Sequence, residues 1–307
     1  MSDPKKIAIT GASGLIGRAL SASLRADGHT VLPLVRRPVA AGEQAVSWDP
    51  AAGTIDAAGL EGLDGVVHLA GAGIGDHRWT DAYRREILES RSRGTELLAG
   101  TLAALDTPPP VLVSGSAIGY YGDTGETAVT EDAPAGSDFL AEVCRQWEAA
   151  TAPAEQAGVR VAHLRTGIVL TPDGGALAKL LPLFRLGLGG RMGSGRQWWS
   201  WISLDDEVGV IRWLLDHEVR GPVNATAPGP VTNAEMTRIL GQVLRRPTLL
   251  PVPSFGPKLL LGADLATALL FTSQRVTPGV LGAQGFPFAH PTLDEALRSM
   301  LDRPTAA

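Results

Sequence analysis

The sequence predicts an α/β protein built on a doubly wound parallel sheet, with a smaller lobe at its C-terminal end. Three observations carry that expectation. β-branched runs alternate with helical patterns through the first 170 residues, a glycine turn separates the first strand from the first helix, and the alternation loosens after Leu170. Strands alternating with helices imply right-handed crossovers and a parallel sheet covered on both faces. The expected layout is a sheet domain over residues 1–170, completed by a returning strand near 221–226, and a second lobe over 171–307.

Each element has its own signal. "KIAIT" reads as the first strand and "LIGRALSASLRADG" as a helix, because its apolar residues recur at helical spacing. "HTVLPLV" is a second strand in which Pro33 sits awkwardly, since proline lacks a ladder donor. "AVSW" is a short third strand and "LDGVVHLAG" a buried fourth. A long helix from about Asp81 to Leu105 stops at Pro108 to Pro110. "PVLVSGSA" is the fifth strand, "DFLAEVCRQWEAATAPAEQAG" a helix interrupted by proline, and "VRVAHLRTGIVL" the sixth strand. Beyond it, "LAKLLPLFRLGLGG" reads as a helix ending in a glycine-rich loop. "SWISLDDEVGVIRWLLDH" reads as a strand and helix, and "GPVNAT" as the returning strand. "TNAEMTRILGQVL" opens on an Asn/Thr cap. "KLLLGADLATALLF" reads as a core or interface helix, interrupted by Asp264 and too short to span a bilayer.

Composition excludes several classes. Net charge of −5 argues against a nucleic-acid surface, which shows a basic stripe. The single cysteine, Cys144, has no internal disulfide partner, and no signal peptide is evident in "MSDPKK", so a cytoplasmic protein is expected. Six scattered histidines lack metal-ligand spacing, so no metal is expected. "GSAIG" is not a serine-hydrolase elbow, and no phosphate-binding G-x-x-x-x-G-K-[ST] occurs.

The glycine turn carries the positive signal. "TGASGLIG" lies between a strand and a helix, the context a dinucleotide-binding turn requires. Gly11 allows the tight turn, Gly14 lets backbone approach a pyrophosphate, and Gly17 lets helix and strand pack closely. Ser13, Gly14, Leu15 and Ile16 bring their amides to the helix N-terminus, where the dipole favours phosphate. The sheet domain is therefore read as a Rossmann fold. At the end of the second strand "LVRRP" offers Arg36 and Arg37, with no acid in the turn for ribose hydroxyls. Guanidiniums suit a 2′-phosphate, which points to NADP(H); the alternative is a solvated basic turn.

Taken together, "TGASGLIG", "HLAG", "SGSAIGYYG" and "HLRTGIVL" resemble an extended short-chain dehydrogenase. "RWT", "ESR", "DFLAEVCRQWE", "GSGRQWWSWISLDD" and "NATAPGPVTNAE" are closer to its sugar-nucleotide epimerase-like branch, the NAD-dependent epimerase/dehydratases. "FTSQRVTPGVLGAQGFPF" resembles that branch's C-terminal domain, so the likeness covers nearly the whole chain. The resemblance implies cofactor contacts at Leu69, Ala70 and Gly71 after the fourth strand, and at Glu86 and Arg91 on the long helix. For Arg91 the alternative is a surface ion pair. It also implies that residues 171–307 bind substrate.

One departure from the superfamily pattern matters. Extended members carry a serine or threonine after the fifth strand and a Tyr-x-x-x-Lys pair on the next helix, where the tyrosine exchanges a proton with the substrate hydroxyl. Ser116 matches the serine. The pair falls on Leu140 and Cys144 in one register, and on Phe139 and Val143 in the other. Proton transfer is then expected from Ser116 and a nearby phenol, Tyr120 or more plausibly Tyr121. With no cation nearby its pKa stays near about 10; the alternative for both tyrosines is wall packing. Cys144 reads as a small buried hydrophobe. "GRMGSGRQWWSWISLDD" places Arg191, Arg196, Gln197 and three tryptophans over the cleft, suited to an anionic or ring-shaped substrate. Trp201 is expected to pack into the core.

Two functions fit. One is an NADP(H)-dependent oxidoreductase or epimerase acting on a small polar substrate, free or nucleotide-linked. The other is an NADPH-binding protein with little turnover that senses redox state or binds a partner. A small molecule is the expected partner, with neither nucleic acid nor membrane, and a homodimer is left open.

Overall fold

The computed structural model describes residues 3–302. The β-branched runs of the first half form strands that alternate with helices. They are β1 (Lys6–Thr10), α1 (Leu15–Ala26), β2 (Thr30–Val35), β3 (Val46–Asp49), β4 (Thr54–Ile55), β5 (Gly65–His68), α2 (Asp81–Ala103), β6 (Val111–Ala117), α3 (Phe139–Ala149), α4 (Ala152–Gln156) and β7 (Arg160–Thr166). Next come β8 (Ile168–Thr171), α5 (Gly175–Arg185), β9 (Trp198–Trp199), β10 (Trp201–Ser203), α6 (Leu204–Asp216), β11 (Gly221–Ala225), β12 (Val231–Thr232) and α7 (Asn233–Leu244). The last segment holds α8 (Phe255–Leu261), α9 (Ala263–Ala266), α10 (Gly279–Ala283) and α11 (Leu293–Leu301).

The main sheet runs β11-β7-β6-β5-β1-β2-β3-β4, parallel except for the β3–β4 hairpin. Apolar side chains of β1, β5 and β6 are buried on both faces, as a doubly covered parallel sheet requires. On one face Leu20 and Leu24 of α1 meet Ile211 and Leu214 of α6. On the other, Leu98 and Leu102 of α2 pack with Ala154 of α4. A separate core joins Leu177 and Leu181 of α5 to Leu240 of α7 and Leu297 of α11. No helix among the described residues is long and apolar enough to cross a membrane.

Four details depart from or qualify the sequence reading. Pro33 is tolerated inside β2 because β3 joins only from Leu34 onward, leaving an open side at the proline. The short strand β4 has no clear sequence signal and enters as a hairpin partner of β3. "VRVAHLRTGIVL" is not one strand but two. Gly167 breaks it: its amide donates to Ala225 O (3.0 Å), the next amide donates to Ser200 O (2.9 Å), and β8 leaves to pair with β10. A side chain at Gly167 would sit 2.8 Å from Ser200 O, so only glycine fits this crossing. Likewise "KLLLGADLATALLF" is no single core helix. Gly262, at φ +91°, separates α8, which buries no residue, from α9, which buries Leu265 and Ala266.

Two ties fix the late segment to the sheet. Asp206, buried at the start of α6, accepts hydrogen bonds from the amides of Ala289 (2.7 Å) and His290 (3.0 Å). Residues 273–276 run as an extended strap between the loop after β6 and β9. Thr124 N donates to Ser273 O and Val129 N to Arg275 O, while Gln274 N donates to Trp198 O.

Candidate functional site

The β1–α1 turn is shaped by its glycines. Gly11 has φ +66°, and a side chain there would lie 2.9 Å from the carbonyl carbon of Leu69, so the loops after β1 and β5 touch at backbone distance. The Gly14 amide donates to Gly11 O (2.9 Å). A Cβ on Gly17 would come 2.2 Å from the same oxygen, which gives Gly17 a turn-closing role as well as close packing. Helix α1 has no side-chain N-cap, and its first amide with a backbone acceptor is that of Arg18, to Gly14 O. The amides of Leu15 and Ile16 are left without a partner among the described residues, at the positive end of the helix dipole. Ser13 and Gly14 are exposed on this turn. Such a cradle of free amides with no side chain over it fits a pyrophosphate.

The loop after β5 is held by a buried relay. Thr10 Oγ1 accepts from the amides of Leu69 (3.0 Å) and Ala70 (3.1 Å) and donates to His68 Nδ1 (2.7 Å). His68 Nε2 then donates to Thr95 Oγ1 (2.9 Å) on α2. Burial, with Arg91 nearby, pushes the His68 imidazole down to about 4, so it is neutral and serves as a fixed spacer. Gly71 backs onto Arg91: a side chain there would meet the guanidinium carbon at 3.1 Å. Glu86 lies exposed on α2, one turn before Arg91, and makes no hydrogen bond among the described residues.

The two arginines after β2 are not equivalent. Arg37 donates to both carboxylate oxygens of Glu43 (Nη1 to Oε2, 3.0 Å) and to Pro38 O. The Arg37 hydrogen bonds hold the Glu43 carboxyl down at about 2. An acid therefore does answer this turn, six residues beyond Arg37. Arg36 is exposed and has no partner among the described residues, so it is the guanidinium open to an incoming phosphate.

Ser116 and Tyr121, the expected proton-transfer groups, are drawn into a different network. Ser116 Oγ donates to Glu148 Oε1 (2.7 Å), and the same carboxylate accepts from Arg165 Nε (2.8 Å) and Nη2 (2.9 Å). Arg165 Nη1 donates to the Tyr121 hydroxyl (2.9 Å), which donates to Asn224 Oδ1 (2.7 Å). Burial works against the Arg165 charge, but the Glu148 hydrogen bonds overcome it and raise its pKa. Tyr121 does have a cation beside it; burial nevertheless dominates and pushes the phenol up to about 12. Both hydroxyls are buried, 4% and 5% exposed by residue, and neither residue lines the cleft. The assignment of Tyr121 as proton donor is corrected on this ground, and the Ser116 hydroxyl is committed to Glu148.

The cleft itself is a cavity of about 150 Å3 between the C-terminal ends of β6 and β7 and the late segment. Its wall is mostly apolar: Ile74, Ile118, Leu140, Val143, Trp147, Ile168, Trp198, Trp199 and Leu269. Leu140 and Cys144 both face it, whereas Phe139 packs edge-on against Trp79 at 5.1 Å. Burial pushes the Cys144 thiol up to about 11, and the thiol donates to Ala117 O. Ser200 and Gln274 donate to backbone carbonyls, Gln274 Nε2 to Ile118 O (3.1 Å) and Gly122 O (3.2 Å). Arg91 also lines the cavity, 7% exposed, with its guanidinium 4.9 Å from the Trp147 ring. Burial pushes its pKa down, and no carboxylate among the described residues pairs with it.

The loop over the cleft divides in the same way. Arg191 donates to Gly193 O and Ser194 O of its own turn, and Gln197 donates to Met192 O and Leu270 O, so both hold the loop together. Trp198 and Trp199 reach the cavity, while Trp201 is buried in the second core as expected.

With this geometry established, comparison with known proteins is informative. Residues 7–226 match the NAD dependent epimerase/dehydratase family, and residues 252–300 match a domain of unknown function (DUF1731). The chain belongs to the epimerase/dehydratase family. An epimerase family protein of Mycobacterium bovis is 46% identical over 299 residues, covering 97% of this chain and 98% of its own. The human epimerase family protein SDR39U1, solved with NADPH, superposes with a TM-score of 0.88 at 33% identity, covering 97% of this chain and all of that one. A nucleoside-diphosphate sugar epimerase from Corynebacterium glutamicum gives a TM-score of 0.79 at 40% identity, covering 97% of this chain and 58% of its longer chain.

Leu140 and Cys144 line the cavity, as does Val143 of the other register, so neither register places a tyrosine or lysine there. Sequence reasoning missed the Thr10–His68–Thr95 relay and the place of Trp147 and Gln274 in the cavity wall. Only "HLAG" hinted at the first; the second depends on segments that meet in three dimensions.

Proposed function

We propose that the chain is an NADP(H)-dependent oxidoreductase that reduces a compact substrate in the cavity. The observation that carries the reading is the uncapped glycine turn at α1, with an unpaired Arg36 after the neighbouring strand β2. The amides of Leu15 and Ile16 would hold the pyrophosphate, Arg36 the 2′-phosphate, and the Leu69–Gly71 loop would border the cofactor. When bound, the nicotinamide supplies or accepts a hydride. The related human protein solved with NADPH supports the same choice.

Reduction is favoured over epimerisation by the wall of the cavity. Epimerisation through a hydroxyl needs a base, and among the described residues no carboxylate, imidazole or phenol lines the cavity. The Cys144 thiol, at about 11, keeps its proton at neutral pH. A polarised double bond needs only donors to stabilise developing negative charge, and takes its proton from water. The same missing base supports a second reading, an NADPH-binding protein with little turnover.

Calorimetric titration tests the cofactor assignment. NADPH should bind more tightly than NADH, and Arg36→Asp should weaken NADPH at least tenfold while leaving NADH within a few-fold. Equal wild-type affinities for the two would overturn it. Consumption of NADPH across a panel of carbonyl and enone acceptors separates the two readings, since the second expects none.

A further inference from the structure

The late part of the chain leaves an apolar face without a partner. Among the described residues, the large apolar side chains that stay most exposed all fall between Leu183 and Leu269. Six of them, Leu186, Leu249, Leu250, Phe255, Leu259 and Leu260, are 69–88% exposed. Single exposed leucines are ordinary, but a cluster marks an interaction surface. Helix α8 is the extreme case: it buries no residue, although seven residues are too few to hold a helix without packing. Backbone contacts join the pieces into one face. Arg246 Nε donates to Arg185 O (2.8 Å) at the end of α5, Val252 N donates to Arg191 O (2.8 Å), and Gly193 N donates to Val252 O (3.0 Å). Ser254 then leads directly into α8.

Charge selects what covers this face. From Gly174 to Leu204 the chain has four basic residues and no acid, and from Met236 to Ala263 again four and no acid, in a protein of net charge −5. Lys179, Arg185, Arg245, Arg246 and Lys258 are exposed and form no ion pair among the described residues. Asp264, the first acid beyond α8, is paired with Arg84. A second copy of the chain would set these like charges against each other across a two-fold interface, so the occupant is anionic. An acidic protein and an anionic bilayer both satisfy the charge, and side-chain type favours the bilayer. Protein–protein hot spots favour tryptophan, tyrosine and arginine over leucine. Here the most exposed apolar side chains are five leucines and one phenylalanine, set among arginines and lysines, the composition of a segment that lies in a membrane interface. Arg78 Nη2 donates to Leu259 O (2.7 Å) and Leu260 O (3.0 Å), so two carbonyls at the end of α8 need no water when the helix enters an apolar layer.

We infer that this face docks on an anionic lipid bilayer, with the leucines and Phe255 inserted among the headgroups and the flanking arginines and lysines on the lipid phosphates and carboxylates. The chain lies on the bilayer and does not span it, in keeping with helices too short or too polar to cross one among the described residues. The inference stands apart from the cofactor reading, and it revises the sequence-based expectation of no membrane partner.

Co-sedimentation of the full chain with lipid vesicles tests it. Vesicles of phosphatidylcholine with about a third phosphatidylserine should bind the protein at least about tenfold more tightly than phosphatidylcholine alone, and added salt should weaken the binding. Leu259→Gln combined with Leu260→Gln should lower affinity for the anionic vesicles at least about tenfold. Because α8 buries no residue, the unfolding midpoint of that variant should stay at the wild-type value. Arg185→Gln combined with Lys258→Gln should narrow the preference for phosphatidylserine. Should the leucine variant fail to fold, the charge variant and the wild-type preference decide. Failure of the wild-type chain to bind anionic vesicles would overturn the inference and leave an acidic protein as the occupant. Binding that survives the leucine changes would overturn it too, because charge attraction alone would then account for the result. So would a dimer in analytical sedimentation that the leucine changes dissociate, which would give the face to a second copy.

Discussion

Glu207 allows a quantitative test of how the sheet and α6 are joined. Its side chain is fully buried in the first turn of α6; Oε1 accepts from Thr166 Oγ1 (2.8 Å) and Oε2 has no partner. A helix N-terminus favours an ionised acid, yet burial outweighs it and pushes Glu207 up to about 8, from an ordinary 4.5. Between those pH values the folded protein holds a proton that the unfolded chain has released. Its contribution therefore lowers stability as pH rises, by up to about 1.4 kcal/mol per pH unit. His68 works in the opposite sense. Its folded-state pKa, near 4, lies below the unfolded value of 6.5, so it adds stability as pH rises between them. The wild-type curve mixes both effects, and the informative quantity is its difference from Glu207→Gln, where the histidine cancels. Guanidinium unfolding at pH 5, 6, 7 and 8 measures that difference. The variant should lie within about 1 kcal/mol of wild type at pH 5 and gain on it steadily up to pH 8. Parallel curves across the range would show that Glu207 is ionised in the folded state, and the argument from burial would be wrong.

Two further outcomes follow from the geometry. Gly14→Ala, whose added carbon would lie 3.2 Å from Gly11 O, should fold normally and lose most NADPH binding by calorimetry; Gly17→Ala, at 2.2 Å from the same atom, should lower the denaturation midpoint itself. Comparable unfolding midpoints for the two variants would count against the turn-closing role of Gly17. Glu148→Gln removes the partner of a buried Arg165 and should cost about 3 kcal/mol in guanidinium unfolding at neutral pH; a cost below about 1 kcal/mol would mean that water reaches the pair.

The sheet was legible because strand and helix periods differ and each run kept to one of them. The glycine turn was legible because its spacing has a geometric cause that survives without neighbours. Arg36 and Arg37 could not be told apart, since the difference lies in Glu43, which reaches back to one of them from a loop of no fixed period. Ser116 and Tyr121 misled for a related reason. Sequence position located them at the end of β6, but their hydrogen-bond partners come from α3, β7 and β11. The cavity was least legible. Its wall is assembled from segments as distant as Ile74 and Gln274, each of which reads alone as ordinary core.

The strap at residues 273–276 has a consequence for the order in which the molecule is made. Every strand of the main sheet has been synthesised by Ala225, including the edge strand β11. The phosphate turn, Arg36 and the loop after β5 all lie within that length. The cavity does not: Leu269, Thr272 and Gln274 are among its walls, and they leave the ribosome tens of residues later. At roughly 5–20 residues per second, a nascent chain has an interval of seconds in which the sheet can close and grip a dinucleotide before any enclosed space exists beside it. The late strap then closes the chamber only after the sheet and its glycine turn are complete.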